Sequence, residues 1–129
     1  MEKTRSIKAT IGWFDDKTLR DLLEPEKKYV DINRFNRYLQ KFQREAYEKY
    51  GIYVAFQTSQ VDCVYHRDWG CPNFGEPCIL MTAIANPKFI KNLAEWELVA
   101  LEIIRCMKDW LDQSTVTVEI YDSNIIYLE

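Results

Sequence analysis

The stretch from Asn86 to Asp112 constrains this chain more than any other. Phe89, Leu93, Trp96, Ala100, Ile103, Met107 and Trp110 recur at steps of four and three, the spacing that lines side chains along one side of an α-helix. Asn86 suits the cap and Pro87 the first helical position, so the pattern predicts a helix over residues 87–112. Leu98, Val99, Leu101 and Ile104 widen the apolar side beyond one stripe. Such a helix is either deeply buried or shared with a second subunit.

A second helix is predicted over residues 31–50. Ile32, Phe35, Leu39, Phe42 and Ala46 keep helical spacing, Asp31 is a natural N-cap, and Gly51 can end the helix in the left-handed conformation. Other segments alternate instead. Ile7, Ala9, Ile11 and Trp13 share one parity against Lys8, Thr10 and Gly12, which reads as a strand. Residues 52–65 are rich in β-branched and aromatic types, but Ile52, Val54 and Phe56 fall on one parity and Val61, Cys63 and Tyr65 on the other. A bulge or break is therefore expected near residues 58–60. The unbroken apolar run over 78–85 suggests a central strand covered on both faces. Val116, Val118 and Ile120 alternate with Thr115, Thr117 and Glu119. A turn at Asp122, Ser123 and Asn124 then leads to a short hairpin partner. Residues 15–28 are polar, contain Pro25 and carry one short apolar turn, Leu19, Leu22 and Leu23, so they read as a connection.

This order, β-α-β-β-α-β-β, is that of an α+β two-layer sandwich, ferredoxin-like or a close variant, with two helices on one face of a largely antiparallel sheet. The 129 residues are read as a single domain, 1–129. The formal charge of -3 argues against nucleic acid as a partner held by net charge. The start lacks the apolar region of a secretory signal, and no run approaches the roughly 18 apolar residues of a membrane span. The expectation is a cytoplasmic protein whose four cysteines stay reduced.

Three of those cysteines and the one histidine fall in "DCVYHRDWGCPNFGEPC", residues 62–78. Cys63, His66, Cys71 and Cys78 are four donors of the kind that tetrahedral zinc takes. Against that reading, Val64 and Tyr65 favour extended backbone, which would point positions 63 and 66 to opposite sides of a strand. A second reading makes Cys71 a nucleophile activated by His66, with Asp68 or Glu76 to orient the imidazole. The fragment "CPNFGEP" resembles the cysteine loop of 7-cyano-7-deazaguanine reductases. The likeness is confined to those residues, and Cys78 stands where that family carries an acidic residue, so the activity is not carried over. The preferred reading is structural: Cys63 and Cys78 as small core residues at two strand ends, with Gly70, Pro72, Gly75 and Pro77 shaping the turn.

Arg34, Arg37, Lys41 and Arg44 form a basic stripe on the first helix, and Glu95, Glu102, Asp109 and Asp112 an acidic series on the second. Asp15 and Asp16 make an acidic pair after the first strand. With four Trp, eight Tyr and six Phe, more aromatic surface is present than so small a body can bury. No glycine-rich phosphate loop accompanies these features. The sequence reading is therefore a small cytoplasmic binding or regulatory protein, without a cofactor, acting through protein-protein or small-ligand contact at the basic stripe, as a homodimer. The alternatives are a small enzyme using Cys71 and His66, and a structural zinc loop.

Overall fold

Strand β1 (Glu2–Gly12) lies at the centre of the molecule, because its odd-numbered residues from Ile7 onward are apolar and its flanking residues can pair on both edges. Residues 1–13 and 31–129 are described by this computed structural model. The predicted connection over 15–28, its turn at Leu19, Leu22 and Leu23, and the Asp15/Asp16 pair lie outside the described residues. Around β1 are helix α1 (Ile32–Tyr50), β2 (Gln57–Cys63), β3 (Glu76–Ile84), helix α2 (Leu93–Trp110) and β4 (Thr117–Ile125). The strands pair antiparallel in the order β2-β3-β1-β4. Two helices on one face of this sheet, in the order β-α-β-β-α-β, give the ferredoxin-like α+β sandwich that the pattern predicts.

Ile7, Ala9 and Ile11 of β1 and Ile79, Met81 and Ala83 of β3 form the floor of the core. Phe35, Leu39 and Ala46 of α1 and Trp96, Val99, Ala100, Ile103, Ile104 and Met107 of α2 form its roof. The opposite face of the sheet is less covered. Leu80 and Thr82 are half-buried and Ile84 is exposed, so β3 is fully covered on one side, not on both as its unbroken apolar run suggests. Near the start of β1 the polar residues on that open face pair with each other. Thr4 Oγ1 donates to the Ala85 carbonyl at 2.6 Å, and the Ser6 and Ser123 hydroxyls share a bond of 2.6 Å.

Three local expectations change. The helix expected to start at Pro87 starts at Leu93, capped by Asn92, whose Oδ1 accepts from the Glu95 amide at 3.1 Å. Asn86 instead closes a turn of its own: its carbonyl accepts from Phe89 and Ile90, and its Oδ1 accepts from the Lys88 amide and the Tyr127 hydroxyl. Phe89 is thereby left outside the helix and 77% exposed. Of the bulge or break expected near 58–60, no bulge is present, since β2 pairs without interruption from Gln57↔Thr82 to Cys63↔Glu76; the shift of parity marks the break where the strand begins. The expected terminal hairpin is one continuous strand. Asp122, Ser123 and Asn124 pair with Arg5, Thr4 and Lys3, and the Ser123 hydroxyl bond holds these turn-prone residues in the ladder.

Helix α1 matches its prediction at both ends. Asp31 Oδ1 accepts from the Arg34 amide at 3.0 Å, and Gly51, at φ 69°, donates to the Tyr47 carbonyl at 2.8 Å. Among the described residues, no helix is long and apolar enough to cross a membrane.

Candidate functional site

The loop between β2 and β3 is a short 3-10 turn (Arg67–Trp69) ending at Gly70, followed by a second tight turn at Phe74 and Gly75. Gly75, at φ 96°, has no room for a side chain, because a Cβ there would lie 3.0 Å from Val64 Cγ2 and 3.2 Å from Asp62 Cβ. His66 caps the 3-10 turn from outside: its Nδ1 accepts from the Asp68 amide at 3.1 Å, and the Asp68 carboxylate lies 3.5 Å away. Cys71 points inward and is 7% exposed. Its Sγ accepts from the Tyr65 amide at 3.4 Å and donates to the Cys63 carbonyl at 3.8 Å. Histidine and cysteine thus serve different turns, and the nucleophile-base pair suggested by the sequence is not assembled.

The cysteines do not group as a metal centre either. Among the described residues, no three His, Cys, Asp or Glu side chains converge as a metal site, and Cys63, His66, Cys71 and Cys78, the alternative zinc set, are not grouped as one. Cys63 and Cys78 share the open face of the sheet in neighbouring strands. Burial, reinforced by the hydrogen bond with Cys63 and by nearby Glu76, pushes the Cys78 thiol well above its ordinary value. It stays protonated, the opposite of what a nucleophile or a zinc ligand needs. Arg34, Arg37, Lys41 and Arg44 are all exposed along α1. The Arg34 guanidinium lies 5.7 Å from the centroid of the Trp110 ring.

A different set of residues is brought together by the sheet. Glu76 opens β3, and Tyr65, just past β2, donates its hydroxyl to Glu76 Oε2 at 3.3 Å, partly out of water. Gly12 closes β1 beside them, with Gly12 registered on Cys78 and the Trp13 amide donating to the Pro77 carbonyl at 3.0 Å. Gln113 arrives from the end of α2, its amide donating to the Lys108 carbonyl at 3.0 Å. A methyl on Gly12 would lie 2.8 Å from Gln113 Oε1 and 3.4 Å from Glu76 Oε1, so both side chains reach into the space that Gly12 leaves open. On the helix face of the sheet the core carries an aromatic cluster. Trp110 stacks on Tyr38 at 4.0 Å and meets Trp13 edge-on at 6.3 Å.

Among the described residues, the surface shows cavities of different character. Two lie along the α1–α2 seam, of about 160 Å³ near Tyr50, Ile52 and Leu98 and about 170 Å³ near Phe42, Lys49 and Cys106. Neither reaches the roughly 300 Å³ at which drug-sized ligands are held. The third, about 590 Å³ and open, is lined by Tyr65, His66, Arg67 and Asp68, so Tyr65 joins the polar corner to a depression of adequate size. A carboxylate held by a phenol can accept hydrogen bonds from a small organic cation. Sequence reasoning named Glu76 merely as a partner for His66 and overlooked Tyr65, Gly12 and Gln113. Their one signal was Gly12, a glycine at the close of a strand.

Comparison with known proteins gives a family for this arrangement. The sequence model described as SAM lyase matches residues 24–129, a span that includes Tyr65, Glu76 and Gln113. No curated protein matches the sequence. Among solved structures, a phage SAM lyase in complex with S-methyl-5′-thioadenosine is similar at a TM-score of 0.53 and 12% identity, over 98% of this chain and 93% of that one. A phage SAM lyase in its apo state is similar at a TM-score of 0.51 and 12% identity, over 100% of this chain and 98% of that one. At such identity these two structures support the fold.

Proposed function

The chain belongs to the SAM lyase family, and from that premise we propose that it cleaves S-adenosylmethionine (SAM) into S-methyl-5′-thioadenosine and a four-carbon fragment at the corner formed by Tyr65, Glu76 and Gln113. Family membership overturns the expected binding or regulatory role. That expectation rested on the lack of a convincing catalytic constellation, together with the excess of aromatic residues and a helix too apolar for one burial face; sulfonium cleavage needs no nucleophile-base pair. In SAM the leaving group is already activated, because the sulfur carries a positive charge. The substrate's own carboxylate oxygen attacks Cγ; the O–Cγ bond forms, the Cγ–S bond breaks, and its electron pair neutralises the sulfur. The products are the thioether and homoserine lactone, with no proton, water or co-reactant in the balance.

The work left to the protein is to fold the substrate so that carboxylate, Cγ and sulfur lie in line, which is where intramolecular reactions gain most of their rate. Glu76 supplies a fixed anion for the substrate's ammonium, and the Tyr65 hydroxyl orients that carboxylate. The depression beside Tyr65 has room for the nucleoside. SAM is a metabolite of the cytoplasm, which supports placing the protein there.

The observation that carries this reading is the family match over residues 24–129. It is tested by incubating the purified protein with SAM in oxygen-18-labelled water and following products by mass spectrometry. Thioadenosine release is expected, with label entering the four-carbon product only at its carboxyl group, when the lactone opens in solution. Label at the Cγ oxygen would mean hydrolysis, and no release above the buffer rate would end the proposal.

A further inference from the structure

Three thiols lie on β2, β3 and the loop between them, outside the chemistry proposed above, and two of them meet. Cys63 closes β2 and faces Glu76 in the ladder, while Cys78 faces Val61, so Cys63 and Cys78 are diagonal neighbours on one face of the sheet. Their side chains are hydrogen-bonded to each other. Cys78 is sealed at 3% exposure, whereas Cys63 is half-buried and within reach of solvent. The third thiol ties this pair to the candidate site. Cys71 Sγ donates to the Cys63 carbonyl and accepts from the Tyr65 amide, and the Tyr65 hydroxyl in turn holds Glu76.

We infer that Cys63 and Cys78 form a redox switch, in which hydrogen peroxide joins them as a disulfide and draws Tyr65 away from Glu76. Only its effect on turnover rests on the SAM reading above. Diagonal neighbours in an antiparallel pair stand roughly 7–8 Å apart, beyond an unstrained disulfide, so the bond closes only if a strand end moves. Cys78 is held inside β3 between Gly12 of β1 and Val61 of β2, whereas Cys63 is the last residue of its strand. Cys63 is therefore the residue that shifts, and through Cys71 it carries the Tyr65 backbone with it. A bond closed against such strain is readily reduced again, as a switch requires.

The reaction balances in two steps. The Cys63 sulfur attacks the peroxide: an S–O bond forms, the O–O bond breaks, and one water leaves. The Cys78 sulfur then displaces the hydroxyl of the resulting sulfenic acid: the S–S bond forms, the S–O bond breaks, and the departing hydroxide takes the Cys78 proton as a second water. Two thiols are oxidised and one peroxide is reduced. Burial, the Cys63 contact and nearby Glu76 keep the Cys78 thiol protonated, so the second step is the slow one.

Peroxide treatment of the reduced wild type, Cys63→Ser, Cys78→Val and Cys71→Ser is the direct test. Peptide mapping by mass spectrometry is expected to recover a Cys63–Cys78 cross-link in the wild type and in Cys71→Ser, and none in the other two. Amide exchange over residues 64–70 should quicken in the oxidised wild type. Its kcat/KM for SAM should fall about tenfold, the loss of one hydrogen bond to a charged group, and return on treatment with dithiothreitol. Cys63→Ser and Cys78→Val should start at wild-type turnover and keep it through the treatment. The inference is overturned if no such cross-link forms, if it forms without loss of turnover, or if Cys78→Val loses turnover as the wild type does. A reduced wild type that leaves SAM intact would sink the lyase reading alone, since cross-link and exchange still decide whether the bridge moves Tyr65.

Discussion

The layer beneath α2 and the corner at the ends of β1 and β3 are built on opposite terms. Under α2, Trp96, Ile103 and Met107 are sealed from water against Ile7, Ile79 and Met81, and no polar group intrudes. At the corner, a carboxylate and a carboxylamide crowd round a glycine, a phenol holds the carboxylate, and one amide donor is left without an answer. The first region is shaped to lower the free energy of the folded chain. The second leaves a buried donor unsatisfied, which costs stability. Substitutions in the two regions should therefore separate stability from activity.

The largest expected effect is in the layer. Trp96→Ala removes a fully buried indole and should cost about 3–5 kcal/mol of stability, read from urea denaturation, while turnover per folded molecule stays near wild type. Lost turnover at retained fold would break the contrast. Next comes Glu76→Gln, which keeps the shape and removes the charge. SAM turnover should fall about a hundredfold, equivalent to about 2.7 kcal/mol in the barrier, with a thermal midpoint close to wild type. Equal loss of stability would make Glu76 part of the scaffold.

The smallest effect sharpens the boundary between the regions. Cys78 lies beside Glu76 yet is buried, and its thiol is pushed up in the folded state. A thiol that ionises more readily when unfolded makes the unfolded chain release protons first, so stability should fall as pH rises past about 9. Cys78→Val should flatten that alkaline decline in a pH series of denaturation curves. An unchanged slope would assign the decline to other groups.

Much of the architecture was legible because it follows from periodicity. Helix α1 could be read to both ends since its caps, Asp31 and Gly51, are local devices. The start of α2 was missed because Asn86 makes a convincing cap on its own, and only Tyr127, forty-one residues away, shows that Asn86 closes a separate turn. The terminal hairpin was misread for a similar reason. Turn-forming residues held in a ladder by Ser6 look, in sequence, like a turn. The candidate site was hardly legible at all. Its members come from four separate stretches, and a Tyr-Glu contact made across two strand ends has no spacing to recognise. The cysteine-rich loop drew attention by composition, yet its thiols and imidazole are occupied in shaping turns.

The pairing of β1 with β4, from Glu2↔Ile125 to Thr10↔Thr117, has a consequence during synthesis. Strand β1 cannot find one of its two neighbours until β4 has emerged from the ribosome, so this part of the sheet closes late and through contacts far apart along the chain. Until then the apolar edge of β1 is open to whatever nascent chains or chaperones are nearby.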